Sequence, residues 1–197
     1  MSEMKSQPLT KKGLMTRKKL LETAETVFSE KGYFDASIVE ITFKSGVAQG
    51  TFYNYFPTKK SIYDELVRDL SSTLRHNVKL AIEGEETFEE KQRAGFKAFF
   101  TWVMTHRNSY SIIQQSVLVD KDLYRWYYEK LANGFMNALE EAIQNEECKP
   151  LDTEAIAYCL MGIGQFIGMR WVFWEEEEVP EYVFEEAMEL VFHGLNT

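Results

Sequence analysis

The densest group of side chains suited to molecular recognition is GVAQGTFYNYFPTKK, residues 46–60. Ala48, Phe52 and Phe56 are spaced four residues apart, so on a helix they share one face, which we expect to be buried. The other side of that helix would carry the hydrogen-bonding side chains Gln49, Thr51, Tyr53 and Asn54. Polar, planar and short side chains can approach base edges and phosphates with little loss of side-chain entropy. The pattern predicts a short helix that packs through one face and contacts nucleic acid through the other.

The charged residues are unevenly distributed along the chain. Residues 1–60 hold ten Lys or Arg and six acidic residues, a net charge of +4, whereas the whole chain of 197 residues has a net charge of −9. A basic head on an acidic body favours contact between a polyanion and the head alone. An alternative is a solvated N-terminal tail, because six of the ten basic residues lie before position 20.

Helical periodicity predicts three helices in this basic head, over about 15–31, 38–45 and 48–54. Gly32 stands where a left-handed cap would end the first helix, and Gly46 stands where a tight turn would join the second and third. Ser37 and Glu40 form a capping-box pattern at the start of the second helix. The side chains expected to be buried in the first two helices are Leu20, Ala24, Val27, Phe28, Ile38 and Ile41, with Phe43 as a further candidate. Two short helices joined by a glycine turn, after a longer helix, are typical of a helix-turn-helix.

Six more helices are predicted downstream, over about 59–83, 88–106, 109–117, 121–146, 153–174 and 180–194. The first of these would be more than about 30 Å long, enough to connect two bodies. The last is expected to turn inward through Val183, Ala187, Leu190 and Val191. No convincing strand is predicted, so the fold class is all-α: an N-terminal three-helix domain joined by a long helix to a second helical domain.

The composition argues against several other classes of protein. Apolar residues make up 45% of the chain, which is enough to form a core. Cys148 and Cys159 form no CxxC pair, so neither a disulfide framework nor a zinc site is expected, and a reducing, cytoplasmic compartment fits. His76, His106 and His193 lie far apart, and no GxSxG, HExxH or P-loop motif occurs. We therefore expect no enzyme, no cofactor and no metal site, although separated residues can still converge in a fold.

Two segments bear on membrane association. The N-terminus has lysines but no apolar run typical of a secretion signal. Residues 155–174 carry only Gln165 and Arg170 as strongly polar side chains, but the uncharged part ends at Met169, short of the roughly 20 residues that a span needs. We expect a fully buried helix here and no membrane contact.

The segment TRKKLLETAETVFSEKGYFDASIVEITFKSGVAQGTFYNYFPTKKSIYDELV, residues 16–67, resembles the DNA-binding domain of TetR-family transcriptional regulators. The positions that match the family pattern are Gly32, Ser37, Ile41, Gly46, Val47, Gly50, Thr51, Tyr53, Tyr55, Phe56 and Lys59. Thr42 and Ser45 depart from it where alanine is usual, and Phe43 stands where polar residues are common. The departures concern packing and flanking DNA contacts, and they leave the central motif intact.

The resemblance implies a role for each matching polar position. Gln49 and Asn54 stand where family members contact bases. The positions that would bind the phosphate backbone are Thr51, Tyr53, Tyr55 and Lys59, and Lys44 and Gly50 complete the predicted DNA-binding set. The alternative for Tyr53 and Tyr55 is partial burial, with hydroxyls that bond locally. The predicted division of the chain is a flexible basic arm at 1–13, the helix-turn-helix domain at 14–60 and a ligand-binding and dimerisation domain at 61–197.

The resemblance also implies a homodimer formed by the last two helices, and a repressor that a small-molecule effector releases from double-stranded operator DNA. Gly162, Gly164 and Gly168 would allow close approach of the second subunit. The candidate effector contacts are Phe99, Trp102, Val103, Tyr124, Tyr128, Met161 and Gln165. Large aromatics with few polar groups suit an apolar or flat aromatic ligand, while the alternative for each is plain core. A helical small-molecule-binding or interaction module without DNA binding is the competing function.

Overall fold

The computed structural model describes residues 10–194, and within them it is built from helices without a β-strand. Residues 1–9 of the predicted arm lie outside the described residues. The helices are α1 (Lys11–Asp35), α2 (Ile38–Ser45), α3 (Gln49–Tyr53), α4 (Lys59–Ile82), α5 (Phe88–Thr105), α6 (Arg107–Val119), α7 (Lys121–Gln144), α8 (Thr153–Ile167) and α9 (Glu181–His193). A π-helical segment, Gly168–Trp174, continues α8. The all-α prediction is confirmed.

Capping explains why the predicted helix boundaries lie close to the observed ones. The side chains of Thr58 and Thr87 each accept a hydrogen bond from the third amide of their helix. In return, the backbone amide of each threonine donates to the side chain of that third residue, which completes a capping box. Ser37 accepts from the amide of Glu40, but the Glu40 carboxylate pairs with Lys31 instead of returning to Ser37. Local sequence therefore determines the first turn even where the carboxylate has another partner.

The first helix differs from its prediction at both ends. It begins at Lys11, capped by Thr10, so residues 11–13 of the predicted flexible arm are helical. Gly32 has a positive φ of 76°, as a left-handed break requires, but a further turn continues to Asp35. The expected end at position 31 is therefore a kink.

The N-terminal helices enclose an apolar centre. Leu20, Val27, Ile41 and Phe52 are fully buried, and Phe56 is 1% exposed. Two packing expectations were wrong. Ala48 is exposed because it is the cap residue that precedes α3, and Phe43 is 85% exposed because it lies on the outer side of α2.

The glycines of α8 do not all serve a second subunit. A Cβ on Gly164 would stand 2.9 Å from Cε1 of Phe96, and one on Gly168 would stand 3.3 Å from Cε1 of Phe99. Both glycines therefore bring α8 close to α5 of the same chain, contrary to expectation. Among the described residues nothing lies within 4 Å of a Cβ built on Gly162, so this glycine alone of the three opens outward.

The last two helices leave an apolar side uncovered. Helix α8 was expected to be fully buried, but Tyr158 and Phe166 are 47% and 65% exposed. On α9 the inward residues are Phe184 and Met188, whereas Leu190, expected to face inward, is 42% exposed. The predicted inward positions Val183, Ala187 and Val191 are only half-buried.

One described helix, α8 with its π-helical continuation (Thr153–Trp174, 22 residues), is long and apolar enough to cross a membrane, with a mean hydropathy of 1.3 over an 18-residue window. This is weak evidence for a span, because a core helix meets the same criteria. Ala157, Leu160 and Val172 are buried against the rest of the chain.

Candidate nucleic-acid interface and effector site

Helix α3 presents a polar outer side over an aromatic anchor. Phe52 is fully buried and packs edge-on against Tyr53, with ring centroids 5.5 Å apart. Tyr53 is 49% exposed, and Gln49 and Asn54 are exposed as well. The buried ring thus holds the helix while hydrogen-bonding side chains face solvent.

The remaining α3 positions fit the same outer surface. Thr51 and Tyr55 are half-buried, and nothing lies within 4 Å of a Cβ built on Gly50, so backbone or ligand can approach there. Among residues 10–194 the hydroxyls of Tyr53 and Tyr55 bond to no side chain or backbone group, which disfavours the alternative in which they are satisfied locally. Both hydroxyls remain available for phosphate oxygens.

The Lys59 side chain points into the fold, whereas the family pattern suggests that it binds a DNA phosphate. Its Nζ donates to the carbonyl oxygens of Tyr33 and Ala36, both at 2.7 Å, and to that of Phe34 at 3.2 Å. The ammonium also lies 4.6 Å from the centre of the Tyr33 ring. Burial lowers the pKa of the Lys59 ammonium. This geometry favours a structural role in which Lys59 ties α4 to the end of α1.

We therefore expect Lys59→Met to act mainly on stability. The change keeps the length of the side chain but leaves three carbonyls without their charged donor, at a cost of about 2 kcal/mol in the free energy of unfolding. Thermal unfolding followed by circular dichroism measures the effect. Lys12→Met, on the exposed first turn of α1, is the control and should leave the melting temperature unchanged. An unchanged melting temperature for Lys59→Met, with a flatter salt dependence of DNA binding, would restore the phosphate role.

Two other cations near α3, Lys44 and Lys60, are paired with carboxylates of the chain. Lys44 Nζ lies 2.7 Å from Glu30 and 3.5 Å from Glu40, and the Glu30 carboxylate raises the pKa of Lys44. Lys60 is bound by Asp64 and Asp120. The positive charge predicted near α3 is thus partly neutralised within the chain.

Lys19 is a candidate phosphate ligand that the sequence pattern did not single out. Within the described residues it has no carboxylate partner, and its Nζ lies 3.9 Å from where a Cβ on Gly46 would stand, beside the turn between α2 and α3. In the sequence, the sign of this role is that Lys19 lies next to the buried Leu20 on α1. Only the packing of the helices shows that α1 brings the Lys19 side chain to the turn.

In the body, the structure brings four of the predicted effector contacts together. The hydroxyl of Tyr110 donates to Gln165 Oε1 at 2.6 Å, and that of Tyr128 donates to the same oxygen at 3.3 Å. The Tyr124 ring lies 4.8 Å from that of Tyr128, and Phe99 packs edge-on against Tyr110 at 6.1 Å. We call Tyr110, Gln114, Tyr124, Tyr128 and Gln165 the inner polar cluster. The other three candidates are buried core residues outside these contacts: Trp102, Val103 and Met161.

Two members of this cluster were missed from sequence. Tyr110 and Gln114 lie four residues apart on α6, a helix on which no effector contact was predicted. Burial raises the pKa of Tyr128, and the neighbouring Gln114 side chain partly opposes that rise. Gln114 Nε2 is nevertheless buried without an acceptor in hydrogen-bond geometry among the described residues. Polar residues at helical spacing on either side of Ile112 and Ile113 were the usable signal.

Helix α6 also contacts the head. Ser109 donates to the Glu25 carboxylate, and Gln115 Oε1 accepts from the amide of Tyr33 at 3.0 Å, beside the Gly32 kink. The hydroxyl of Tyr63 on α4 donates to the carbonyl of Ile112 at 2.6 Å. One helix therefore carries part of the inner polar cluster and also hydrogen-bonds to α1 and α4.

Comparison with known proteins decides what this combination is. The family model for bacterial regulatory proteins of the tetR family matches residues 20–66, which span the buried half of α1 and the whole helix-turn-helix. Residues 20–66 are a DNA-binding domain of the tetR family of bacterial regulatory proteins. Proteins of this family bind DNA, so the chain is a ligand-responsive, DNA-binding transcriptional regulator.

Relatives extend the similarity beyond the TetR head. The HTH-type transcriptional regulator YdgC of Bacillus subtilis is 26% identical over 196 residues, covering 93% of this chain and 94% of that protein. The fatty acid metabolism regulator protein of the same organism is 24% identical over 183 residues, covering 90% and 94%. The crystal structure of the transcriptional regulator FadR from Bacillus subtilis in complex with stearoyl-CoA superposes with a TM-score of 0.77. That structure is 22% identical in sequence, covers 91% of this chain and 99% of the other, and shows a shared TetR fold.

Proposed function

We propose that this protein is a homodimeric repressor that an effector with a long apolar body and a hydrogen-bond-accepting end releases from its operator. The observation that carries the proposal is the inner polar cluster. Two tyrosine hydroxyls meet at Gln165, and beside Tyr128 the Gln114 amide is buried without an acceptor among the described residues. A buried donor without an acceptor costs free energy, and a carbonyl or carboxylate of a bound ligand would supply that acceptor.

The chemistry of the similar proteins narrows the class of effector. Two of them are a fatty acid metabolism regulator and a regulator that binds stearoyl-CoA. A long-chain acyl thioester combines an apolar chain with a carbonyl that accepts hydrogen bonds. We therefore take long-chain acyl thioesters, with the free fatty acids as second choice, as the effector class of this chain.

An open groove suggests how such a chain would enter. The groove has a volume of about 280 Å³ and lies between α5, the π-helical segment and α9, with Phe100, Met104, Val172 and Phe184 in its wall. Phe100 contacts Phe99 at 5.6 Å, and Phe99 contacts Tyr110. The two phenylalanine rings thus lie between the groove and Tyr110 of the inner polar cluster, and their rotation would give a ligand access to the cluster.

Helix α6 supports a route from effector to DNA. Tyr110 and Gln114 would contact the effector, while Ser109 and Gln115 on the same helix hold α1. A ligand that displaces α6 would therefore shift the head relative to the body. In a dimer of helix-turn-helix domains the recognition helices must be roughly 34–36 Å apart, so such a shift lowers operator affinity.

An effector titration tests this proposal. A duplex selected from a random library by the wild-type protein serves as the operator, and its binding is followed by fluorescence anisotropy. Stearoyl-CoA should weaken binding at least about tenfold, whereas coenzyme A alone should have no effect. Gln114→Leu, which keeps the volume but removes the donor, should lose the response while it retains DNA affinity, and Gln144→Leu at the exposed end of α7 is the matched control. The proposed effector class is wrong if no acyl thioester or fatty acid changes DNA affinity or thermal stability.

The hydroxyl of Tyr53 gives a prediction for the DNA side. Tyr53→Phe should keep the fold but lose one phosphate hydrogen bond in each subunit, about 1–3 kcal/mol for the dimer. Operator affinity would fall roughly 5- to 150-fold in anisotropy measurements. Tyr182→Phe, which removes a hydroxyl from an exposed tyrosine of α9, should leave affinity unchanged. Equal affinities for wild type and Tyr53→Phe would remove Tyr53 from the interface.

A further inference from the structure

Helix α2 carries an exposed apolar edge that no packing explains. Val39 and Phe43 are 61% and 85% exposed, and they lie four residues apart, so they share one edge of an eight-residue helix. The family pattern commonly places a polar residue at the Phe43 position. Exposed apolar side chains that occur singly need no explanation, but two adjacent ones on a short helix beside a recognition helix form a small surface. We call this pair the α2 edge.

The ion pairs of α2 show where the α2 edge faces. Glu40 pairs with Lys31 at 2.8 Å and Lys44 pairs with Glu30 at 2.7 Å, so the side of α2 that carries them lies against α1. At 100° per residue, Val39 and Phe43 are centred about 100° around the helix from that side. The α2 edge therefore lies away from α1 and on the solvent side of the head.

The backbone ties the same edge to the recognition helix. The carbonyl of Phe43 accepts from the amide of Gly46 at 3.1 Å, and the carbonyl of Thr42 accepts from the amide of Val47 at 3.0 Å. The Phe43 end of α2 is thus the end from which the turn into α3 begins. The α2 edge therefore ends beside the turn that leads to Gln49.

We propose that the α2 edge contacts duplex DNA and recognises the C5 methyl groups of thymines next to the bases that α3 contacts. A DNA-binding head places this surface against the duplex, where the first helix of the motif crosses the backbone while the second lies in the major groove. The thymine methyl is the apolar group that the major groove displays, and phenylalanine is one of the side chains that contact it. The α2 edge ends at the turn into α3, and this nearness to the helix with the predicted base contacts favours DNA over a protein partner. The inference rests on DNA binding by this head and does not depend on the effector class.

Replacement of thymine by deoxyuridine tests the proposal, because it removes the methyl group and leaves base pairing intact. The wild-type protein first selects a duplex from a random library, and each thymine of that duplex is then replaced in turn. Wild-type affinity should fall about 3- to 4-fold for each contacted methyl, or about tenfold when both half-sites are changed. Phe43→Ala and Val39→Ala should bind the thymine duplex more weakly and lose nothing further on deoxyuridine at the contacted position.

Two outcomes would overturn the proposal. Wild-type affinity could be insensitive to deoxyuridine at every position, or the variants could lose the same factor on both duplexes, which would place the α2 edge against sugars or a protein. Phe43→Leu, which retains an apolar side chain, should keep part of the discrimination, and circular dichroism melting should show that the exposed position leaves the fold intact. If the wild-type protein selects no duplex, DNA binding itself is contradicted. That result differs from both outcomes above, in which the protein binds DNA but the α2 edge does not contact thymine methyl groups.

Discussion

A Phe166→Glu variant will be a helical monomer that binds operator DNA at least about a hundredfold more weakly than the wild type. Phe166 is 65% exposed on α8 and lies in line with Tyr158 and Gly162, at helical spacing along the uncovered side. Burial of a carboxylate in an apolar interface without a partner costs several kcal/mol. A monomer offers one recognition helix instead of two, so the affinity gained by joining two half-sites disappears.

Light scattering after size-exclusion chromatography and anisotropy on the selected duplex measure the two effects. Leu80→Glu is the matched control, because Leu80 is 49% exposed on α4 and lies outside the last two helices. It should remain dimeric with unchanged affinity. A dimeric Phe166→Glu protein would show that subunits associate through another surface.

Gly164→Leu will lower the free energy of unfolding by about 3 kcal/mol, or about 6–12 °C in melting temperature for a chain of this size. A Cβ at this position would lie 2.9 Å from Cε1 and 3.3 Å from Cδ1 of Phe96, whose ring is buried and packs against Phe100 at 6.2 Å. The larger side chain therefore forces α8 away from α5. Thermal and urea unfolding both measure this loss.

Gly134→Ala is the control for this change. Gly134 is exposed within α7, outside the last two helices, and among the described residues nothing lies within 4 Å of a Cβ built on it, so alanine there should be neutral or stabilise by up to about 1 kcal/mol through helix propensity. A Gly164→Leu protein with unchanged melting temperature but a weakened dimer would return Gly164 to the subunit interface that the sequence suggested.

The head was largely predictable because its signals are local. The bounds of α2 agree with the prediction at both ends, since Ser37 begins the helix and Gly46, with a φ of 62°, ends it. The alternation of buried Phe52 and exposed Tyr53 follows from helical spacing alone. The expectation that Phe43 is buried was wrong, because an apolar side chain does not by itself imply a neighbour, and no described element packs on that edge of α2.

The body was predictable in layout but less so in its site. Gln165 was expected to face an effector, but its hydrogen-bond partner Tyr110 is 55 residues away, on a helix where no effector contact was predicted. The orientation of α9 differed from expectation because apolar residues occur on two sides of it, and periodicity cannot tell which side meets the chain. Phe184 and Met188 are the ones that do.

By itself, the amino-acid sequence determined the helices, their caps and the helix-turn-helix, since each depends on residues within a turn or two of one another. The tertiary structure decided which charged and polar groups are free to act. Lys59 meets carbonyls up to 26 residues away, so it is bound within the fold, whereas Lys19 reaches the turn of the head. Likewise Gly164 and Gly162 are alike in sequence and differ only in what packs against them. The partner of a side chain depends on which helices meet, and that is settled by the packing of the whole chain.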